Sequence, residues 1–116
     1  MNTVKDVDID ASGKFKYILI KVSGGLGDVK EKFIVRGYAR CGYHSDILDE
    51  VQPGIEGKAL KIECTGGGRI QHSPDEQKIH VFGYSQGFGP ADHAKSVELL
   101  KAAYPGYTVT FSNDGY

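Results

Sequence analysis

The chain has 116 residues, which is enough for one domain with its own core and too few for a separate cofactor-binding domain. Its 14 Lys and Arg residues are interspersed with 15 Asp and Glu residues, so the net charge of −1 predicts neither a nucleic-acid partner nor a polybasic membrane surface. No apolar run is long enough to span a bilayer, and the acidic start is unlike a signal peptide. We expect a cytoplasmic monomer in which residues 1–116 form a single domain.

The first half of the chain predicts two strands followed by a helix. FKYILIKV at 15–22 has apolar residues at both alternations, which is typical of a central strand covered on both faces. A flexible loop, SGGLGDVKE at 23–31, separates it from a second strand, FIVRGYA at 33–39. The helix that comes next is expected to stop at Pro53-Gly54.

A histidine stands at the start of that helix. The segment YHSDILDEV places His44 where Ser, Thr, Asp or Asn would cap a helix better. The helix dipole would lower the pKa of His44, whereas Asp46, Asp49 and Glu50 would raise it. A neutral imidazole near pH 7 is the form that a general base or nucleophile needs. Taken alone, a surface histidine without function is the commoner alternative.

The second half predicts more strands and a second helix. ALKIECT at 59–65 alternates as a half-buried strand does, and residues 66–85 predict a hairpin of RIQH, a polar turn and KIHVFGYS. A helix over 90–104 is expected to begin with Pro90 at its first position, before a last strand at 108–112. The predicted fold is α/β of the α+β type, a mixed sheet of about six strands flanked by two helices.

A glycine-rich segment, GYSQGFGPADHA at 83–94, runs from a strand into the second helix. Glycines let successive backbone N–H groups converge on one anion, and a helix start adds partial positive charge. A phosphoryl group would fit against the Ser85 hydroxyl and the N–H groups of Gln86 and Gly87. The alternative is an ordinary strand-to-helix turn, because the segment matches no Walker loop and no dinucleotide fingerprint.

Three basic residues are candidates for contact with an anion. In CTGGGRI, three glycines either let the backbone approach another loop closely and direct Arg69 at an oxyanion, or form a bulge or bend with Arg69 on the surface. Arg36 in VRGY either pairs with a carboxylate beneath the sheet or reaches a phosphate. Lys16 shares a strand face with apolar residues, from which it can extend to the mouth of a cleft or simply end in solvent.

The histidines and cysteines do not predict a metal site. Neither paired CxxC nor HExxH spacing occurs, and we expect Cys41 and Cys64 to be free thiols. His72 and His80 lie across the predicted hairpin, where packing is the simpler role. His93 belongs to an apolar stripe of the second helix, so it is either a packing histidine or a support for a site.

Eight motifs, specific together although not singly, cover nearly the whole chain in one order: DVDID, FKYILIKV, VRGY, YHSDI, ECTGGGRI, KIHVFGYS, GPADHA and YPGYTVTFSNDGY. In this combination the chain resembles the Janus/ocnus family, specifically its small protein phosphohistidine phosphatases. The resemblance implies a mixed sheet flanked by two helices. It also implies metal-independent hydrolysis of the nitrogen–phosphorus bond of phosphohistidine in proteins.

The resemblance also implies a set of site residues. The catalytic histidine of the family matches His44 in YHSDI, and its substrate-binding lysine matches Lys16 in FKY. Its phosphate-binding segment matches Ser85, Gln86 and Gly87 in GYSQG. His44 would act as a general base on water or as the nucleophile itself, and the sequence leaves both routes open.

Three further residues would support this site by the same resemblance. Arg36 and Arg69 match the arginines of VRGY and GGGRI, and His93 matches the histidine of GPADHA. Gly87 departs from the pattern by standing where the family accepts a small residue such as alanine, which predicts a looser loop. The segment at 23–31 is variable in the family and would affect which protein substrates fit.

The function predicted is therefore a protein histidine phosphatase without a metal or other cofactor. Its partners would be phosphohistidine-containing proteins, with no nucleic acid and no membrane. The alternative is a non-catalytic phosphoprotein-binding or regulatory module, because parts of the Janus/ocnus family are known by biological role more than by activity.

Overall fold

A computed structural model describes residues 4–24, 30–56 and 60–112 of the chain. Six strands form one mixed sheet in the order β1-β3-β2-β4-β5-β6, and two helices pack on it. The elements are β1 Val7–Ile9, β2 Gly13–Gly24, β3 Lys30–Gly37, α1 His44–Glu56, β4 Leu60–Ser73, β5 Lys78–Phe82, α2 His93–Ala103 and β6 Thr108–Phe111. This architecture confirms the predicted α+β class. Within the described ranges, no helix has the length and apolar character needed to cross a membrane.

The central strand is β2, which has β3 on one side and β4 on the other, both antiparallel. Tyr17 and Leu19 belong to the apolar cluster on the α2 side, and Ile18 and Ile20 belong to the cluster on the α1 side. All four side chains are fully buried. The apolar residues at both alternations of β2 therefore have the predicted cause, because each face of the strand is covered.

The prediction for β4 was wrong in one respect. Residues 60–65 and 69–72 belong to one strand rather than two, and residues 66–68 remain paired with β2, while residue 59 of the predicted strand lies outside the described residues. A bulge is the reason, because the register changes between Leu19 and Ile20 and leaves Thr65 as an extra residue on β4. The Thr65 hydroxyl donates to the Leu19 carbonyl at 3.1 Å, which holds the bulge against β2.

Two further strand predictions can be compared with the structure. The expected irregular start contains β1, which pairs in parallel with β3. The predicted hairpin of β4 and β5 is confirmed, with a short 3₁₀ turn at Pro74–Glu76. Of the loop predicted at 23–31, residues 25–29 lie outside the described residues.

The end of α1 and the start of α2 differ from their predicted positions. Helix α1 continues through Pro53 and Gly54, because Ile55 extends the apolar repeat of Ile47 and is buried against the sheet. Helix α2 begins at His93 and not at Pro90. Its cap is Asp92, whose carboxylate accepts from a backbone N–H in the first turn.

Candidate functional site

A cavity of about 490 Å³ lies between the start of α1 and the loop that follows β5. The five residues predicted to catalyse or to bind substrate all line it, together with five neighbours. The lining residues are Lys16, Gly42, Tyr43, His44, Ser45, Tyr84, Ser85, Gln86, Gly87 and Phe88. Residues that are distant in the sequence therefore meet in one place.

His44 is the first residue of α1 and does not cap it. The carboxylate of Asp46 accepts from the Tyr43 N–H at 3.0 Å, so the helix start is capped by another side chain. The imidazole of His44 is almost fully buried, and its Nε2 lies 2.8 Å from the Gly68 carbonyl oxygen. Because a carbonyl only accepts, Nε2 carries the hydrogen, and Nδ1 of the neutral ring keeps its lone pair.

The environment of His44 favours the neutral ring. Burial lowers the pKa of His44 below its ordinary value of 6.5, and the charges of Lys16 and Arg69 lower it further. The hydrogen bond to Gly68 acts in the opposite direction. Burial and the two cations therefore favour the neutral imidazole, and they are causes that the sequence did not indicate.

The loop after β5 is folded tightly around Ser85. Ser85 is buried and exchanges two backbone hydrogen bonds with Gly89, at 3.2 and 2.8 Å. Its hydroxyl oxygen also accepts from the Phe88 N–H at 3.1 Å. Gln86 and Gly87 form the exposed tip of the loop, and no acceptor in the described part of the chain receives their N–H groups. These N–H groups are therefore available to an anion in the cavity.

The glycines of β4 make the assembly of this site possible. A Cβ atom on Gly67 would lie 2.8 Å from His44 Cδ2 and 3.1 Å from Ser85 Cβ. A Cβ atom on Gly68 would lie 2.8 Å from His93 Cε1, on the other face of the sheet. The sequence favoured a bulge or bend here over a close approach of the backbone to another loop. The structure has a bulge at the adjacent Thr65, and the glycines also let side chains approach the strand closely. Three consecutive glycines next to a regular strand pattern were the signal for it.

The two arginines take different positions. Arg36 does not line the cavity, because its guanidinium is buried and donates to the carbonyls of Val35 at 2.9 Å and Lys5 at 2.8 Å. Burial also lowers the pKa of Arg36. Arg69 lies directly across from Lys16 in the pairing of β2 with β4, close enough for its charge to act on His44. Only Arg69 is therefore placed beside the cavity.

His93 lies on the opposite side of the sheet from His44 and outside the cavity lining. Its Nε2 donates to the Gly83 carbonyl at 2.8 Å, and its Nδ1 accepts from the Tyr17 hydroxyl at 2.6 Å. Ser96 is 2.9 Å from the same hydroxyl, and burial raises the pKa of Tyr17, which keeps the phenol protonated. His93 is thus a hydrogen-bonded packing histidine. No pattern in the sequence pointed to Tyr17 and Ser96 as its partners.

The possible metal ligands and the two cysteines in the described part of the chain bear on metal and thiol chemistry. No group of three or more His, Cys, Asp or Glu side chains in it is arranged to hold a metal ion. Cys41 and Cys64 are free thiols, as predicted. Burial raises the pKa of both, for Cys64 to about 11, so neither is a ready thiolate near neutral pH.

Comparison with known proteins places the chain among related sequences. Residues 1–108 match the model of the Janus/Ocnus family. The 14 kDa phosphohistidine phosphatase of Homo sapiens is 50% identical over 97% of this chain and 94% of its own length. That of Sus scrofa is 49% identical, over 97% and 93%. Sex-regulated protein janus-A of Drosophila pseudoobscura pseudoobscura is 47% identical, over 95% and 76%.

The glycine contacts lead to a matched pair of variants. Gly67→Ala should displace the His44 ring and lower the free energy of unfolding by about 1–3 kcal/mol, because the new methyl group meets packed atoms on both sides. Gly87→Ala should change neither property, since nothing lies within 4 Å of the added Cβ. Denaturant unfolding and the NMR titration of His44 measure both effects. An unaltered midpoint and titration in Gly67→Ala would contradict the close approach.

Proposed function

The chain belongs to the Janus/Ocnus family, and on that basis we propose that it is a phosphohistidine phosphatase that hydrolyses the nitrogen–phosphorus bond in phosphorylated proteins. The observation that carries the proposal is the meeting of His44, Lys16 and the Ser85 loop in one cavity. A neutral base, a cation and backbone donors are the groups that phosphoryl transfer to water needs. The identity of about half the residues with two phosphohistidine phosphatases supports the same activity.

In the proposed complex, the phosphoryl group binds at the tip of the loop after β5. The N–H groups of Gln86 and Gly87 and the hydroxyl of Ser85 donate to its oxygens, and Lys16 balances its charge. These donors are held by the hydrogen bonds between Ser85 and Gly89 before substrate arrives. Donors fixed in this way commonly stabilise a transition state by several kcal/mol, on the order of 3 kcal/mol for each.

His44 acts as the general base in this proposal. Its Nδ1 takes a proton from water while the water oxygen bonds to phosphorus and the nitrogen–phosphorus bond breaks. The substrate imidazole leaves as a neutral ring when its other nitrogen carries a proton, so it is a good leaving group. The hydrogen bond from Nε2 to Gly68 fixes the tautomer that leaves Nδ1 available. Positioning and electrostatics then supply most of the catalysis.

Removal of the base tests the activity itself. His44→Ala should abolish phosphate release from a phosphohistidine peptide, measured in the presence of a chelator, while circular dichroism shows an unchanged fold. The wild-type protein should release phosphate under the same conditions. Turnover by His44→Ala at the wild-type rate would exclude the proposed base. Binding of the peptide by the wild-type protein without release of phosphate would instead identify a phosphoprotein-binding module.

The second route makes His44 a nucleophile, since the same Nδ1 lone pair can attack phosphorus. The general-base route predicts that rapid quench during turnover finds no phosphate attached to His44. Acid-labile, base-stable phosphate on this residue, formed and consumed at the rate of turnover, would show the nucleophilic route. The variant His44→Ala is the blank for labelling at other histidines.

The cation beside His44 predicts a change in the pH dependence. Activity should fall as the pH drops through the pKa of His44, which lies below 6.5, because the protonated ring is no base. Lys16→Ala removes a charge that lowers this pKa, so the acid limb should move to higher pH and KM should rise. Lys61→Ala, an exposed lysine at the far end of β4, should change neither. A Lys16→Ala profile that overlays the wild-type profile would remove Lys16 from the cavity's chemistry.

A further inference from the structure

In the part of the chain that the structure describes, no helix packs on one half of a sheet face. Helix α1 packs against β2 and β4, and the continuation of that face across β5 and β6 is exposed or half-buried. The pairing of the strands brings the side chains of this region into adjacent rows. We call it the open face, formed by Lys14, Gln71, Lys78, His80, Phe82 and Thr110.

The open face contains a groove and adjoins the proposed site. The groove has a volume of about 380 Å³ and runs over β5 and β6. Lys14 precedes Lys16 by two residues on the same face of β2, so the open face continues directly into the cavity that contains His44. A polypeptide whose modified side chain enters that cavity would therefore lie across these strands.

The charge of this region is positive although that of the whole chain is not. Lys14 and Lys78 lie on the open face, and Lys16 and Arg69 lie at its boundary with the cavity. Among the described residues that line the groove, Glu76 is the one carboxylate residue, and it pairs with Lys78 at 3.5 Å. Both members of that pair are well exposed, so the pair is weak and an acidic ligand can replace it. The chain as a whole carries a net charge of −1.

We propose that the open face binds an extended acidic segment of the substrate protein next to its phosphohistidine. This inference rests on the proposed phosphatase function and adds a class of substrate to it. Lys14 and Lys78 attract the carboxylates, and the rings of His80 and Phe82, which stack on each other with centroids 5.6 Å apart, offer their edges to the peptide. Charge complementarity of this kind acts mainly on capture and selectivity, so it should appear in KM and leave kcat unchanged.

The distance across the sheet from Lys16 to Lys78 determines how far from the phosphohistidine the acidic residues of the substrate must lie. Lys78 lies across from Ser73, four residues along β4 from Arg69, which corresponds to about 13 Å. The step from β2 to β5 adds about 10 Å across the strands, so the diagonal from Lys16 to Lys78 is about 16 Å. An extended peptide covers this span with about five residues. Acidic side chains within about six residues of the phosphohistidine can therefore reach both lysines.

Two phosphohistidine peptides test the proposal. One peptide has aspartate and the other has asparagine at positions four, five and six on each side of the phosphohistidine. The two peptides are otherwise identical. The wild-type protein should show a lower KM for the aspartate peptide, and added salt should reduce this preference. The double variant Lys14→Glu with Lys78→Glu should raise KM for the aspartate peptide about tenfold, change that of the asparagine peptide less than twofold and leave kcat unchanged.

The control is a second double charge reversal, Lys61→Glu with Lys101→Glu, at two exposed lysines outside the open face. It should leave the peptide preference intact. Equal KM values of the two peptides with the wild-type protein would overturn the proposed acidic-segment site, and so would equal effects of the two double variants on KM. In either case, hydrolysis of either peptide would still support the phosphatase function. Absence of hydrolysis of both would reject the phosphatase. Tighter binding of a single-stranded RNA than of the aspartate peptide, lost in Lys14→Glu with Lys78→Glu, would also overturn it.

Discussion

The absence of side chains at Gly67 and Gly68 is the constraint on which the site depends. His44 from α1 and Ser85 from the loop after β5 approach the same point of β4 from one face, and His93 from α2 approaches from the other. Each of these contacts occupies the space where a Cβ atom would be. The position of both helix starts relative to the sheet is therefore set by backbone contact, and the cavity is the space that remains between them.

Two histidines share this arrangement and differ in what it leaves available. Each donates its Nε2 hydrogen to a backbone carbonyl, of Gly68 for His44 and of Gly83 for His93. The Nδ1 of His93 is then occupied by the Tyr17 hydroxyl, whereas His44 lines a cavity. His44 and His93 are each the first residue of a helix. They differ in the chemistry open to them because a hydroxyl group occupies Nδ1 of His93, whereas His44 faces a cavity.

The sequence was sufficient for the fold class, because strand alternation is a local property, and the motif resemblance indicated five of the ten residues that line the cavity. The two apolar alternations of β2 predicted a covered central strand, and that is its position. Features that depend on partners distant in the chain were not predictable. The burial of Ile55 keeps α1 helical beyond Pro53, and Asp46 takes the capping role that seemed to be missing at His44. Arg36 was placed by the resemblance near the phosphate, yet it holds the segment before β1.

The bulge at Thr65 has a consequence for how β4 is used. Before it, even-numbered residues such as Ile62 and Cys64 face α1, and after it the odd-numbered Gly67 and Arg69 do so. One extra residue thus exchanges the two faces of the strand halfway along its length. The same amino acids in a regular strand without the bulge would direct Arg69 into the apolar cluster beneath α2 and expose Ile70 in its place, so they would lose both a core and a site.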